Sequence, residues 1–314
     1  MAFSAEWLGL REPADHAARS VALTEIVASR VAGQVPVFVV DLATGTGSNA
    51  RYLLPRLPGH QDWRLVDRDP LLLVELQDQM AAWGPAHGYT TDADGPGLTL
   101  RHAAVVHRLW PALRDLTVLD PSVTAAITAP TALPLTPLVS TLVTPLVTPL
   151  VTPLVTTAAL LDLVSEAWIH ALAAQCREAQ AVVLFVLTYD GRIVCTPREP
   201  EDEAVCALVN AHQRQDKGFG PAVGPDGTDV AQRAFAARGY QTRRAPSDWV
   251  LGPSDAELQR QLLTGWADAA AETAPSDAPR ISAWLARRLA HVAAGRSNVC
   301  VGHEDFAAWL PDRS

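Results

Sequence analysis

The stretch VFVVDLATGTGSNA, residues 37–50, joins a short apolar run to an acidic residue and a glycine-containing turn. The apolar run is rich in valine and is followed by glycines, a pattern typical of a buried parallel strand. Gly45 and Gly47 lack a Cβ, so the backbone there can turn sharply and approach a ligand. A helix is expected to begin near Ser48 or Asn49. Because open α/β sheets bind ligands at the carboxyl ends of their strands, the stretch predicts a site for a nucleotide-like cofactor.

A second strand is predicted over Trp63–Asp67, and it also ends in a carboxylate. Asp67 follows Gly47 by twenty residues. In dinucleotide-binding sheets an acid at about this distance accepts hydrogen bonds from the hydroxyls of a ribose. Asp67 is therefore a candidate ribose ligand.

Two cofactors fit this pattern. Gly45–Ala50 matches the dinucleotide fingerprint G-x-G-x-x-A, which keeps an NAD(P)-dependent oxidoreductase as an alternative. Asp41, at the end of the strand, would repel the phosphates of a dinucleotide. S-adenosylmethionine has no phosphate and carries an ammonium and a sulfonium, so its charge suits a neighbouring carboxylate. The acid in front of the loop favours S-adenosylmethionine.

With these residues the chain resembles the class I S-adenosylmethionine-dependent methyltransferases, whose first motif is a strand, an acid and a G-x-G-x-G loop. The motif reads DLATGTG over residues 41–47, with Ala43 in place of the family's first glycine. The resemblance implies S-adenosylmethionine as cofactor, and a doubly wound α/β fold with a seven-stranded Rossmann-like sheet. It implies that the cofactor contacts are made by Asp41, Ala43, Gly45, Gly47, Asn49, Asp67 and Arg68. The substitution at position 43 also leaves a non-catalytic module that binds S-adenosylmethionine as an alternative.

Alternating strands and helices along the rest of the chain predict a single domain over residues 1–314. A capping box at Ser254–Glu257 opens a pair of helices, and the segment 253–295 is expected to form a lid over the substrate. The third strand is expected within 97–106, where no acid follows to meet an adenine amine. The other expected elements are one helix over 13–32 and strands beginning near residues 154, 181, 240 and 297.

A low-complexity insertion is predicted over residues 121–156. The sequence from 121 to 161 is free of charge, and it exceeds the roughly 20 residues that cross a bilayer. Seven prolines within it, three of them in tandem Thr-Pro-Leu-Val units, exclude a membrane-spanning helix. We expect a tolerated expansion of a surface loop.

Methyl transfer from a sulfonium is an in-line displacement, and a base is needed only when the acceptor enters protonated. The polar segment after residue 210 offers His212 as a candidate base, and Asp162 is the second candidate. Groups expected to contact the substrate are Ser165, Trp168, Tyr189 and Lys217. A helix cap is the competing interpretation of Asp162, and a surface histidine that of His212.

Composition excludes several classes of protein. The net charge of −9 argues against a nucleic-acid partner and favours a small-molecule substrate. The four cysteines are scattered, so neither a metal site nor a disulfide framework is expected. Charges near the amino terminus interrupt any signal peptide, and a cytoplasmic location without membrane association is expected. The sequence leaves the acceptor atom and the oligomeric state open.

Overall fold

A computed structural model describes residues 4–95, 97–117, 119 and 152–312. The described part contains a ten-stranded sheet with helices on both faces. The strands are β1 (Val37–Leu42), β2 (Gln61–Asp67), β3 (Thr90–Asp94), β4 (Gly97–His102), β5 (Val105–Leu113), β6 (Leu154–Ala158), β7 (Val182–Thr196), β8 (Gln241–Pro246), β9 (Trp249–Leu251) and β10 (Asn298–Trp309). The helices are α1 (Ala5–Ala18), α2 (Val21–Val31), α3 (Ser48–Leu53), α4 (Pro70–Ala86), α5 (Glu166–Glu178), α6 (Asp202–Gln213), α7 (Gly227–Ala236), α8 (Ala256–Thr273) and α9 (Ala278–Ala293).

The strand order is β3-β4-β5-β2-β1-β6-β7-β10-β8, and β9 pairs with β10. The five strands β5, β2, β1, β6 and β7 are parallel, and β10 returns antiparallel to β7. From β1 the chain continues to β2 on one side of β1, and it later returns to β6 on the other side. The loop after β1 therefore lies where the strand order reverses. This is the position at which ligands bind in doubly wound sheets.

The side chains of the central strands divide between two apolar layers. In β1, Val37 and Val39 pack on one face of the sheet, whereas Phe38 and Val40 pack on the other. The first face is covered by helices that include α2, α4, α8 and α9, and the second by α5 and α7. This alternation confirms the doubly wound α/β fold.

The prediction of seven strands is too low. The order β5-β2-β1-β6-β7-β10-β8 contains seven strands, and the hairpin β3–β4 extends the sheet beyond β5. The short strand β9 supplies the tenth. The predicted range 97–106 for the third strand is wrong because of this hairpin: these residues form β4 and a tight turn, and the strand beside β2 is β5.

The prediction of one helix over 13–32 is also wrong, because the chain breaks at Arg19 into α1 and α2. The Ser20 side chain accepts a hydrogen bond from the Leu23 backbone N–H and so caps a new helix. The Ser20 backbone N–H in turn donates to Asp305 of β10 at 2.8 Å. Pro13 therefore lies inside α1 rather than in a first turn.

The strand predicted to begin near residue 181 is β7, which continues through Asp190 and Gly191 to Thr196 and pairs with β10. Gly191 lies within this strand with φ +92°. The predicted helical pair is α8 and α9, inserted between β9 and β10. Most of the predicted insertion, residues 121–151, lies outside the described residues, and its last three residues begin β6. Among the described residues no helix has the length and apolar character of a membrane span.

Candidate functional site

The loop after β1 is tied to β2 by hydrogen bonds. The Thr44 backbone N–H donates to the Val66 carbonyl at 3.0 Å. Gly45 N–H donates to Asp67 Oδ2 at 2.8 Å, and Asp69 N–H donates to Asp67 Oδ1 at 3.0 Å. The Asp67 carboxylate is therefore held at the end of β2 beside the loop.

The two glycines of the loop have different physical roles. Gly45 has φ +55°, and it lines the cavity in front of the loop. Gly47 has φ +84°, and a Cβ there would lie 3.1 Å from Leu76 and 3.2 Å from Met80. Gly47 does not line the cavity, so its requirement for glycine comes from its φ and from close packing against α4. Ala43 lines the cavity with φ +54°, a conformation that glycine adopts more easily.

Asp41 lies behind the loop rather than in the cavity wall. Its carboxylate is fully buried and accepts hydrogen bonds from Thr44 Oγ1 and Asn49 Nδ2, both at 2.6 Å. Burial raises the pKa of Asp41 to about 6. The prediction that Asp41 faces the cofactor does not match this position, and the residue instead shapes the loop from behind.

Arg19 approaches the same loop from the break between α1 and α2. Its Nη1 donates to Asn49 Oδ1 at 2.6 Å, and its guanidinium lies 4.0 Å from the ring centroid of Tyr52. The side chain lines the cavity, and among the residues that the structure describes its Nε and Nη2 have no hydrogen-bond partner. Burial lowers the pKa of Arg19, and the carboxylate of Asp305 opposes that effect. A buried guanidinium with two unpartnered nitrogens is a site for an anion.

These groups surround a cavity of about 360 Å³. One part of its wall comes from the loop and from the ends of the neighbouring strands: Ala43, Thr44, Gly45, Thr46, Ser48, Asn49, Asp67, Arg68, Asp69 and Leu116. Another part comes from α6, α8 and the segment 214–221 between α6 and α7: Val209, His212, Gln213, Lys217, Phe219, Gly265, Trp266 and Ala269. The cavity thus joins the loop predicted to bind a cofactor to a wall built by later elements.

Two of the residues predicted around the substrate lie together in the second part of the wall. His212 Nε2 is 3.0 Å from Glu272 Oε2, and Lys217 Nζ is 3.3 Å from His212 Nδ1. Burial lowers the pKa of Lys217. Both nitrogens of the His212 ring are engaged, so neither is open to a substrate proton.

The other four predicted residues, Ser165, Trp168, Tyr189 and Asp162, do not line the cavity. Ser165 caps α5 by accepting from the Trp168 N–H, and Trp168 Nε1 donates to the Leu116 carbonyl at 2.7 Å. Tyr189 is buried, its hydroxyl donates to Asn210 Oδ1 at 2.8 Å, and burial raises its pKa. The side chains of Ser165, Trp168 and Tyr189 thus each have a structural partner.

Asp162 is buried in a single 3₁₀ turn after β6, and it does not line the cavity. Burial raises the pKa of Asp162 to about 6, and its Oδ1 has no hydrogen-bond partner within the described ranges. The competing interpretation of Asp162 as a helix cap is wrong, because Ser165 provides the cap of α5.

Sequence reasoning missed an acid near the third parallel strand. Asp115 follows the end of β5 by two residues; its side chain is exposed and does not line the cavity, whereas Leu116 beside it does. The Thr117 backbone N–H donates to Asp115 Oδ1 at 2.9 Å and lowers the pKa of this carboxyl. The sequence signal for this strand was the run Val105–Leu113, although the run contains a proline, which disfavours a central strand. The described residues contain no group of three or more His, Cys, Asp or Glu side chains placed to hold a metal ion.

No family model matches the chain, and no curated protein matches it. Solved structures do resemble it. A cyclopropane synthase from Mycobacterium tuberculosis is 11% identical, with 98% of this chain and 94% of that chain covered and a TM-score of 0.44. The YcgJ protein from Bacillus subtilis is 12% identical, with 93% and 100% covered and a TM-score of 0.43.

A methyltransferase from Thiobacillus denitrificans, solved with S-adenosylhomocysteine, is 12% identical, with 99% and 100% covered and a TM-score of 0.38. At such identities these similarities assign neither an activity nor a site residue to the present chain. The glycine loop, DLATGTG over residues 41–47, is the feature in which the sequence resembles the class I methyltransferases.

Proposed function

We propose that the protein is an S-adenosylmethionine-dependent methyltransferase that acts on a small-molecule acceptor. The observation that carries this proposal is the pairing of two groups at one cavity: the buried, partly unpartnered Arg19 and the Asp67 carboxylate. S-adenosylmethionine carries a carboxylate at one end and a ribose diol towards the other. The cavity therefore offers a cation for the carboxylate and a hydrogen-bond acceptor for the diol.

Each part of the cofactor has a candidate contact. Arg19 would bind the methionine carboxylate, and Asp67 would accept the two ribose hydroxyls. The adenine would lie near Leu116, with Asp115 as the acceptor for its amine. The non-glycine Ala43 adopts the positive φ that the loop needs, which supports a working loop despite the missing first glycine.

The acceptor would enter along the wall made by α6, α8 and the segment 214–221. Holding the acceptor in line with the sulfonium methyl supplies much of the rate acceleration without a catalytic side chain. The α8 residues Gly265, Trp266 and Ala269 line the cavity, which supports the proposed lid role of the segment 253–295. The base role proposed for His212 has less support, because both of its ring nitrogens are engaged.

The test is ligand binding to the purified protein, measured by calorimetry and thermal shift with S-adenosylhomocysteine, NAD and NADP. We expect stabilisation by S-adenosylhomocysteine alone. Stabilisation by NAD or NADP alone would replace the proposal with an oxidoreductase, and no effect of any of the three would refute cofactor binding. A screen of metabolites with methyl-labelled S-adenosylmethionine then separates an enzyme from a non-catalytic module.

A further inference from the structure

Lys217 is the only lysine among the 314 residues, whereas 24 arginines supply the rest of the basic side chains. This single ammonium lines the cavity, on the segment between α6 and α7. Lysine and arginine side chains bind ligands with different geometry. A lysine is a compact charge with three rotatable donors, whereas an arginine presents a fixed planar fork.

The ammonium is held by a chain of hydrogen bonds. Glu272 accepts from His212 Nε2 at 3.0 Å, since a carboxylate can only accept. His212 Nδ1 then carries the lone pair and accepts from Lys217 Nζ at 3.3 Å. Glu272 lies on α8 and His212 on α6, so two helices orient the lysine. One N–H of the ammonium is used, and no other partner of Nζ occurs among the described residues, so two N–H groups remain for a ligand.

The charge of Lys217 has no direct counter-ion among the residues that the structure describes, because no carboxylate there is within ion-pair distance of Nζ. The nearest acid of the array, Glu272, reaches the lysine only through His212.

The acids that line the cavity already have partners. Asp15 binds Arg11 at 2.9 Å and the Trp249 indole N–H at 3.1 Å. Asp67 accepts two backbone N–H groups, and Asp69 caps α4. The ammonium therefore faces the cavity as a positive group that these acids do not neutralise.

The cavity wall that Lys217 shares also contains apolar side chains. Phe219 lies two residues further along the same segment, and Val209, Leu163 and Trp266 line the same cavity. A positive group at the side of an apolar and aromatic wall matches a ligand with an apolar body and a negative head.

We propose that Lys217 binds an anionic group, such as a carboxylate, on an apolar or aromatic methyl acceptor. His212 and Glu272 act as positioning residues that orient the ammonium. This inference rests on the proposed function, because it assigns the chemical class of the acceptor. It replaces the base role predicted for His212 and keeps the substrate contact predicted for Lys217.

A matched pair of ligands, one anionic and one neutral, tests whether Lys217 binds a negative charge. We would measure the binding of 1-naphthoate and 1-naphthamide by calorimetry with S-adenosylhomocysteine present, since the two differ in charge and hardly in shape. The wild type is expected to prefer the acid by about tenfold or more, as one charge-assisted hydrogen bond would give. Lys217→Met should abolish the preference and leave the affinity for S-adenosylhomocysteine unchanged. Arg214→Met is the control, because Arg214 is an exposed cation nearby that pairs with Asp226 and does not line the cavity.

Equal binding of the two probes to the wild type would overturn the inference, and so would a preference that survives in Lys217→Met. Neither result would affect the proposed function, which fails only if the wild type does not bind S-adenosylhomocysteine.

The positioning role has its own readout. Reductive methylation with ¹³C-formaldehyde labels one lysine side chain, whose NMR signal reports the pKa of Lys217. Since the hydrogen bond to His212 favours the charged amine, His212→Leu should lower that pKa and weaken 1-naphthoate binding. An unchanged pKa in a variant that still binds S-adenosylhomocysteine would show that His212 does not orient the lysine.

Discussion

Arg19 Nη1 lies 2.6 Å from Asn49 Oδ1, and this hydrogen bond joins the break between α1 and α2 to the helix after the glycine loop. Asn49 in turn donates to Asp41 at 2.6 Å. A cation from the amino-terminal helices, an amide and a buried carboxylate therefore form one connected array behind the proposed cofactor. The remaining two nitrogens of Arg19 have no hydrogen-bond partner in the part of the chain that the structure describes.

Replacing Arg19 by Gln should weaken binding of S-adenosylhomocysteine by about tenfold to a hundredfold, because a charge-assisted contact to the carboxylate is lost. Methylthioadenosine lacks that carboxylate, so its affinity should change little. Both are measured by calorimetry. Arg56→Gln is the matched control, since Arg56 also stacks on Tyr52 but does not line the cavity. An equal loss of affinity for both ligands would show that Arg19 does not bind the carboxylate of S-adenosylhomocysteine.

Asp67→Ala should lower the affinity for S-adenosylhomocysteine by about tenfold or more, because the ribose acceptor and the anchor of Gly45 N–H are removed together. Calorimetry measures the change. Asp78→Ala, at an exposed position on α4 outside the cavity, should match the wild type. Unaltered affinity in Asp67→Ala would show that the ribose lies elsewhere.

Asp115→Asn should weaken S-adenosylhomocysteine several-fold, because an amide accepts the adenine amine less strongly than a carboxylate does. The inosine analogue, S-inosylhomocysteine, has a carbonyl oxygen in place of the adenine amine and so offers the carboxylate no donor; the substitution should not weaken its binding. Competition calorimetry compares the ligands. If the substitution affects neither ligand, Asp115 does not contact the base.

Asp162 predicts a particular dependence of stability on pH. Its pKa is about 6 in the folded protein against an ordinary 3.8, so the native state holds the proton between these values. The stability gained from this proton is present below the ordinary pKa and is lost as the pH rises through about 6, with an upper limit of about 3 kcal/mol. In Asp162→Asn that part of the pH dependence should disappear from the free energy of unfolding measured with urea. Asp78→Asn should keep the wild-type profile, and an identical profile in Asp162→Asn would contradict the raised pKa.

Gly265 tests whether α8 forms part of the acceptor wall. A Cβ at Gly265 would meet no atom within 4 Å, and the residue lines the cavity. Gly265→Leu should therefore fold normally, bind S-adenosylhomocysteine with wild-type affinity and bind 1-naphthoate about tenfold more weakly by steric exclusion. Gly9→Leu is the control, because Gly9 is an exposed helical glycine with equal space outside the cavity. Wild-type naphthoate binding in Gly265→Leu would place the acceptor elsewhere.

The strand-acid-glycine-helix unit could be predicted because its determinants are local. The valine-rich run, the two glycines and the start of α3 lie within fourteen consecutive residues, and the structure has β1 and α3 where the pattern predicts them. Asp67 was predictable for the same reason, because it ends a strand of recognisable composition.

The third strand could not be placed from composition. Gly97–His102 and Val105–Leu113 both have the character of strands, and only pairing with β2 distinguishes the edge hairpin from the core. Asp115 was missed in consequence. Similarly, the capping of α2 by Ser20 depends in part on Asp305, which lies in the last strand.

The sequence by itself determined the strand, the acid, the glycine loop and the α/β alternation, because backbone freedom and hydrophobic periodicity act between near neighbours in the chain. Only the tertiary structure decided which polar side chains share the cavity. It brought Arg19 to Asn49, and Glu272 through His212 to Lys217, while it left Asp41 and Tyr189 in the interior. The physical reason is that packing of helices far apart in the sequence, rather than residue type, sets whether a charged group meets a ligand or a structural partner.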